Sequence, residues 1–158
     1  MSSRIPALLA LALAAALGWT LLSGEPDPLT EAEARALHDR LLTIDTHIDI
    51  GAGYATAALD PGGFTAAQVD LPKMRVGGLD AGFFIVYTAQ GPRDAEGYAA
   101  ARAAAEAKYA ALSRLLRAYP DQVALATTAA EVEAIAQSGR RVMLIGMENA
   151  YPLGESVE

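Results

Sequence analysis

A chain of 158 residues, 53% hydrophobic and 20% charged, can bury one sizeable core and is too short for several globular domains. Its formal net charge of −7 and pI near 4.8 exclude nucleic acid as a partner class, because phosphate binding requires clustered Lys and Arg. The absence of cysteine excludes disulfides, thiolate metal sites, cysteine nucleophiles and a lipoprotein anchor, so any metal must be held by His, Asp or Glu.

In chain order, Arg4 precedes an apolar run from Ile5 to Leu22 that ends at Ser23 and Gly24. Residues 1–24 read as a signal peptide or an N-terminal membrane anchor. The run reaches the lower length bound for a membrane span, and its Leu-Leu-Ser-Gly end matches a small-x-small cleavage site poorly, which favours an uncleaved anchor. The domain is therefore expected to be exported, periplasmic or membrane-anchored facing outside the cytoplasm. Residues 25–29 form a polar linker. Thr30 with Glu33 makes a capping-box pattern that predicts a helix to about Leu42, and the domain proper is expected from residue 30 to residue 158.

Thr43 to Ile48 reads as a short buried strand, followed by the Gly51-Ala52-Gly53 loop. Asp70 is placed to cap a helical turn through Arg75, which Gly77-Gly78 stops before an apolar strand from Ala81 to Thr88. Pro92 opens an Ala-rich helix from about Arg93 to Ala118, closed by Pro120, and Val123 to Ala126 is a short strand. A second capping box, Thr128 with Glu131, predicts a helix over 129–138, and Gly139 separates it from a strand from Arg141 to Met147. Helices alternating with short apolar strands imply an α/β fold with a mostly parallel sheet, as in a barrel or a doubly wound domain.

Three residues carry the chemical signal: His47, Asp49 and Glu148, each at or just beyond the C-terminal end of a predicted parallel strand, where barrel active sites are built. Residues i and i+2 of a strand point to the same side, so His47 and Asp49 can reach one cation, and Glu148 can converge on it from another strand. One imidazole and two carboxylates are suitable zinc ligands. By itself a His-x-Asp is a weak signal, since a core histidine more often hydrogen-bonds within the fold; a lone Glu after a strand can cap a helix or pair with Arg140 or Arg141. His38, in the first predicted helix, reads as an ordinary helical residue.

Three blocks add to this in order. They are Ile44-Asp45-Thr46-His47-Ile48-Asp49, the stretch from Val69 to Phe84 with its Asp-Leu-Pro and Gly-Gly elements, and Leu144-Ile145-Gly146-Met147-Glu148-Asn149-Ala150. Together they resemble the membrane (renal) dipeptidase family, zinc metallopeptidases of the M19 type. Asn149-Ala150-Tyr151-Pro152-Leu153-Gly154 resembles its bacterial branch. The resemblance implies a (β/α)8 TIM-barrel metal-dependent hydrolase, of which only the first strands and helices would be present, since eight strands take roughly 250 residues. It also implies that His47 and Asp49 bind one zinc and that Glu148 bridges two. The two metals would lower the pKa of a shared water and polarise the scissile carbonyl of a dipeptide, so no Ser or Cys nucleophile is needed. Asp45 and the Gly51–Gly53 loop would support the ligands. The histidines of the second zinc and the proton-transferring aspartate would lie beyond residue 158, so the chain is expected to be the N-terminal part of a dipeptidase that holds a half-site and has little activity alone. A homodimer fits the family. Two alternatives stand beside this. One is an amidohydrolase-type barrel, which usually presents His-x-His where this chain has Asp49; the other is a membrane-tethered interaction segment whose Ala-rich helix is the working surface.

Overall fold

The computed structural model describes residues 28–155. The predicted signal or anchor over 1–24 and most of the linker lie outside the described residues; among those described, no helix is long and apolar enough to cross a membrane. Two compact units divide between Leu37 and His38. Helix α1, Glu31–His38, begins at the predicted capping box: the Thr30 N–H donates to Glu33 Oε2 at 2.9 Å and the Glu33 N–H to Thr30 Oγ1 at 3.3 Å. The helix ends at His38 rather than Leu42. There the Leu41 N–H closes a turn on the His38 carbonyl. Thr43 is then claimed by the sheet region, with its hydroxyl donating to the Gly78 carbonyl at 2.6 Å and its N–H to Asp80 Oδ2 at 3.1 Å.

Among the described residues four parallel strands follow: β1 Ile44–Asp49, β2 Ala81–Tyr87, β3 Val123–Leu125 and β4 Arg141–Glu148, in the order β1-β2-β4-β3. Helix α2, Leu71–Gly77, joins β1 to β2; α3, Ala95–Ala118, follows β2; α4, Ala129–Gln137, precedes β4; a 3-10 turn, Tyr151–Leu153, follows β4. The alternation read in the sequence is present, with ends shifted by a residue or two. Asp94 rather than Pro92 caps α3, its side chain accepting the Gly97 N–H, because a carboxylate satisfies a free helical N–H that the proline ring cannot. β4 sits beside β2, and the short β3 flanks only its start, pairing with Arg141 to Met143.

Residues paired across parallel strands share a face. Ile48, Phe84, Val86 and Met143 lie on the face covered by α2 and α3, where they form the main core with Leu71, Met74, Leu112 and Leu115. A smaller cluster of Ala81, Val142, Val132 and Ile135 packs α4 near the N-terminal ends of β2 and β4. The opposite face carries Asp49 level with Ile85 and Gly146, and Tyr87 level with Glu148. Polar residues therefore gather at the C-terminal ends of the strands, on the face away from α2 and α3.

Candidate metal centre

β1 does not run straight into the site. Its register against β2 slips between Asp45 and Ile48, so three steps along β1 match two along β2. Such a bulge re-aims side chains next to it. Here it falls on His47, whose N–H, freed from the ladder, donates to the Asp45 carboxylate at 2.9 Å. Gly82, paired with Asp45, gives Ile48 its seat on β2: a Cβ there would stand 2.3 Å from Ile48 Cδ1. The buried Ile48 thus fixes the strand from one side while His47 and Asp49 project from the other.

Glu148 is the last residue of β4 rather than the first beyond it. Its Oε2 lies 3.1 Å from His47 Nε2, and Asp49 Oδ1 lies 3.7 Å from the same nitrogen. One ligand atom from each of the three residues lies within 4.8 Å of the other two. The sequence placed all three at strand ends; the tertiary structure brings all three together. Among the described residues Glu148 does not take up the alternative pairing with Arg140 or Arg141: Arg141, at the other end of β4, pairs with Asp80 at 2.9 Å, and Arg140 donates to the Ser138 hydroxyl. His38 stays apart, packed against Gly78 ahead of β2.

This donor set fits zinc. Ligands at 2.0–2.2 Å in tetrahedral geometry stand about 3.4 Å apart, which the two distances from His47 bracket. As a stabilising ion pair the cluster has little value. All three side chains are half or more exposed, and exposed pairs contribute about 0–1 kcal/mol. Two carboxylates facing one imidazole form an arrangement that a cation, more than a single proton, can balance.

The long connection from Ile50 to Asp70 leads out of β1 at the site and is pinned by residues that sequence reasoning missed. The Arg114 guanidinium of α3 donates to the carbonyls of Ala52, Tyr54 and Ala55, each at 3.0 Å. Tyr119 donates to Asp60 at 2.6 Å, which holds that carboxyl below its ordinary range. The buried Tyr54 hydroxyl donates to the Val69 carbonyl, and burial pushes it well above the ordinary tyrosine range. No local pattern identifies Arg114, because its partners are backbone carbonyls some sixty positions away.

If His47 is a ligand, Asp45→Ala is expected to weaken divalent-metal binding about 10-fold with little change in thermal midpoint, because the exposed acceptor that orients the candidate ligand is lost while no core contact is. Calorimetric metal titration beside a melting curve checks this, and equal affinity in both proteins would show that the bulge holds without Asp45.

A family model described as membrane dipeptidase (peptidase family M19) matches residues 31–158. No curated protein matches the chain. Among solved structures, the probable dipeptidase PvdM from Pseudomonas aeruginosa is similar at 26% identity with a TM-score of 0.74, over 79% of this chain and 32% of that one. The dipeptidase AC, a metallopeptidase of family M19, is similar at 28% identity and a TM-score of 0.58, over 72% and 37%. A metallopeptidase from Rhodobacter sphaeroides, liganded with a phosphinate mimic of the dipeptide L-Ala-D-Ala, is similar at 25% identity and a TM-score of 0.58, over 72% and 40%. The chain thus spans between about a third and two fifths of the length of these proteins.

Proposed function

The chain belongs to the membrane dipeptidase family, peptidase family M19, and from that premise we propose that it supplies the His47, Asp49 and Glu148 ligands of a zinc-dependent dipeptidase site. The single observation that carries this reading is the convergence of the three donor atoms within 4.8 Å. The His47 imidazole would hold the cation through Nε2, together with Asp49 from the same strand and Glu148 from β4. Glu148 has a second carboxylate oxygen, with which it could also hold a second metal. When bound there, zinc supplies Lewis-acid polarisation of a peptide carbonyl and acidifies water.

A dipeptide is the substrate class this reading assigns, supported by the dipeptide mimic bound to the Rhodobacter protein. Because the chain spans only part of its relatives' length, hydrolysis is assigned to the whole enzyme, and metal binding to His47, Asp49 and Glu148. In this reading the apolar run from Ile5 to Leu22 acts as a signal peptide or an anchor, and the enzyme works outside the cytoplasm.

Zinc titration of the full chain by calorimetry, in two buffers of different ionisation enthalpy, tests the proposal. Saturable binding with proton release is expected, since protons compete with the cation for its ligands. Binding that persists unchanged in a His47→Ala, Glu148→Gln double variant would overturn the assignment of the site.

A further inference from the structure

Beyond Met143, β4 is paired only on its β2 side among the described residues. The end of the strand that carries Glu148 therefore needs another support, and the next residue supplies one. Asn149 adopts a left-handed backbone, φ 69°, which turns the chain sharply out of the sheet directly after Glu148. Asparagine tolerates this region better than most residues with a side chain. Its Nδ2 donates to the carbonyl of Thr88, the residue just past β2, at 2.9 Å, and its Oδ1 accepts the Tyr151 N–H at 3.1 Å. One side chain thus ties the ends of β2 and β4 together and starts the 3-10 turn.

That turn is itself fastened to the start of α3. The Tyr151 hydroxyl donates to the Pro92 carbonyl, its ring lies 5.2 Å from that of Tyr98, and Gly97 leaves the space into which the hydroxyl fits. The segment after β2 and the segment after β4 form one clamped rim, with Asn149 at the point where the rim meets Glu148.

We propose that Asn149 is a positioning residue: by joining a left-handed turn to a hydrogen bond on the Thr88 carbonyl, it sets where the Glu148 carboxylate stands opposite His47. This rests on reading Glu148 as a metal ligand. Asn149 touches neither metal nor substrate in this role. It acts through the backbone of its neighbour.

The full chain is compared with Asn149→Gly, which keeps the left-handed turn and loses both side-chain bonds, and with Asn149→Ala, which loses the bonds and strains the turn as well. Thr128→Ala, which removes the α4 cap, serves as a control that lowers stability away from the site. Two readouts are taken: Co2+ titration followed by visible absorption, and crystal structures of the metal-free proteins. We expect Asn149→Gly to bind Co2+ about 10–100-fold more weakly, as for other residues that orient a ligand. Its absorption bands should shift, and Glu148 Oε2 should leave its position 3.1 Å from His47 Nε2. Asn149→Ala should show a larger loss, and Thr128→Ala should bind as the parent does. An Asn149→Gly protein with unaltered affinity, spectrum and Glu148 position would overturn the proposal, as would an equal loss of affinity in Thr128→Ala. Should the parent chain itself bind no Co2+, the metal reading fails, and the crystal structures alone then decide the positioning role: a displaced Glu148 sustains it and an undisplaced one ends it.

Discussion

Glu148→Gln is expected to weaken zinc binding by more than about 100-fold while leaving the fold intact. The substitution keeps length and shape but removes the charge of the carboxylate nearest His47 Nε2. Loss of a residue that merely orients a ligand costs about 10–100-fold, so loss of a charged ligand must exceed that range. Folding stability should change by no more than about 0.5 kcal/mol, because the side chain is half exposed and two like charges beside one imidazole help the fold little. Calorimetric titration and a melting curve on the same preparation separate the two effects. Undiminished zinc affinity would remove Glu148 from the ligand set, and a collapsed melting curve would show that the cluster is structural after all.

The opposite outcome is expected at Asp70, at the far end of the β1–α2 connection. Its side chain is fully buried. It caps α2 by accepting the Lys73 N–H at 2.9 Å, accepts the Thr65 N–H at 2.8 Å, and pairs with the Lys73 ammonium at 3.0 Å. Asp70→Ala leaves the Lys73 and Thr65 N–H groups without their acceptor, while the Lys73 ammonium, more than a third exposed, keeps the Thr65 and Ala67 carbonyls; loss of the cap and of a buried acceptor should cost about 2–3 kcal/mol. Chemical denaturation measures it, and a loss under about 1 kcal/mol would mean that water reaches the donors.

Asp70 also contributes to acid sensitivity. Burial by itself would raise its carboxyl, but the hydrogen bonds from Lys73 and Thr65 outweigh burial and hold it below the ordinary aspartate range. A carboxyl lower in the folded than in the unfolded chain stabilises the fold fully above the unfolded value, near pH ~3.9, and loses that contribution as pH falls through the folded value. Asp70→Asn, which keeps a cap acceptor, should therefore flatten the acid limb of the stability profile as well as lower its plateau. An acid limb of unchanged slope would place the proton-linked loss elsewhere.

Much of this molecule is legible in its sequence. The capping boxes Thr30/Glu33 and Thr128/Glu131 and the Asp70 cap set the starts of α1, α4 and α2, because each rests on hydrogen bonds between near neighbours in the chain, whereas the Asp94 cap of α3 was not singled out. The apolar runs gave β2 and β4 to within a residue. The three ligand candidates could be named because strand ends are where a parallel α/β sheet gathers polar side chains. The resemblance of the blocks around His47, Asp70 and Glu148 pointed to the family that the match over residues 31–158 establishes.

What the sequence could not carry is whatever depends on residues far apart in the chain. That β4 rather than β3 lies beside β2, and so places Glu148 across from His47, is decided by packing on α3 and α4. The bulge at Asp45–Ile48 follows from the seat that Gly82 offers Ile48, a contact between strands separated by more than thirty residues. Arg114 on three loop carbonyls and Asn149 on the Thr88 carbonyl have backbone partners, which leave no mark in the identity of the partner residue. Sequence by itself determined the elements and the donor types, since local hydrogen bonding and hydrophobic period are written in neighbouring residues. Tertiary structure decided the distances between the donors, since those are set by register and by contacts that only the folded chain brings together.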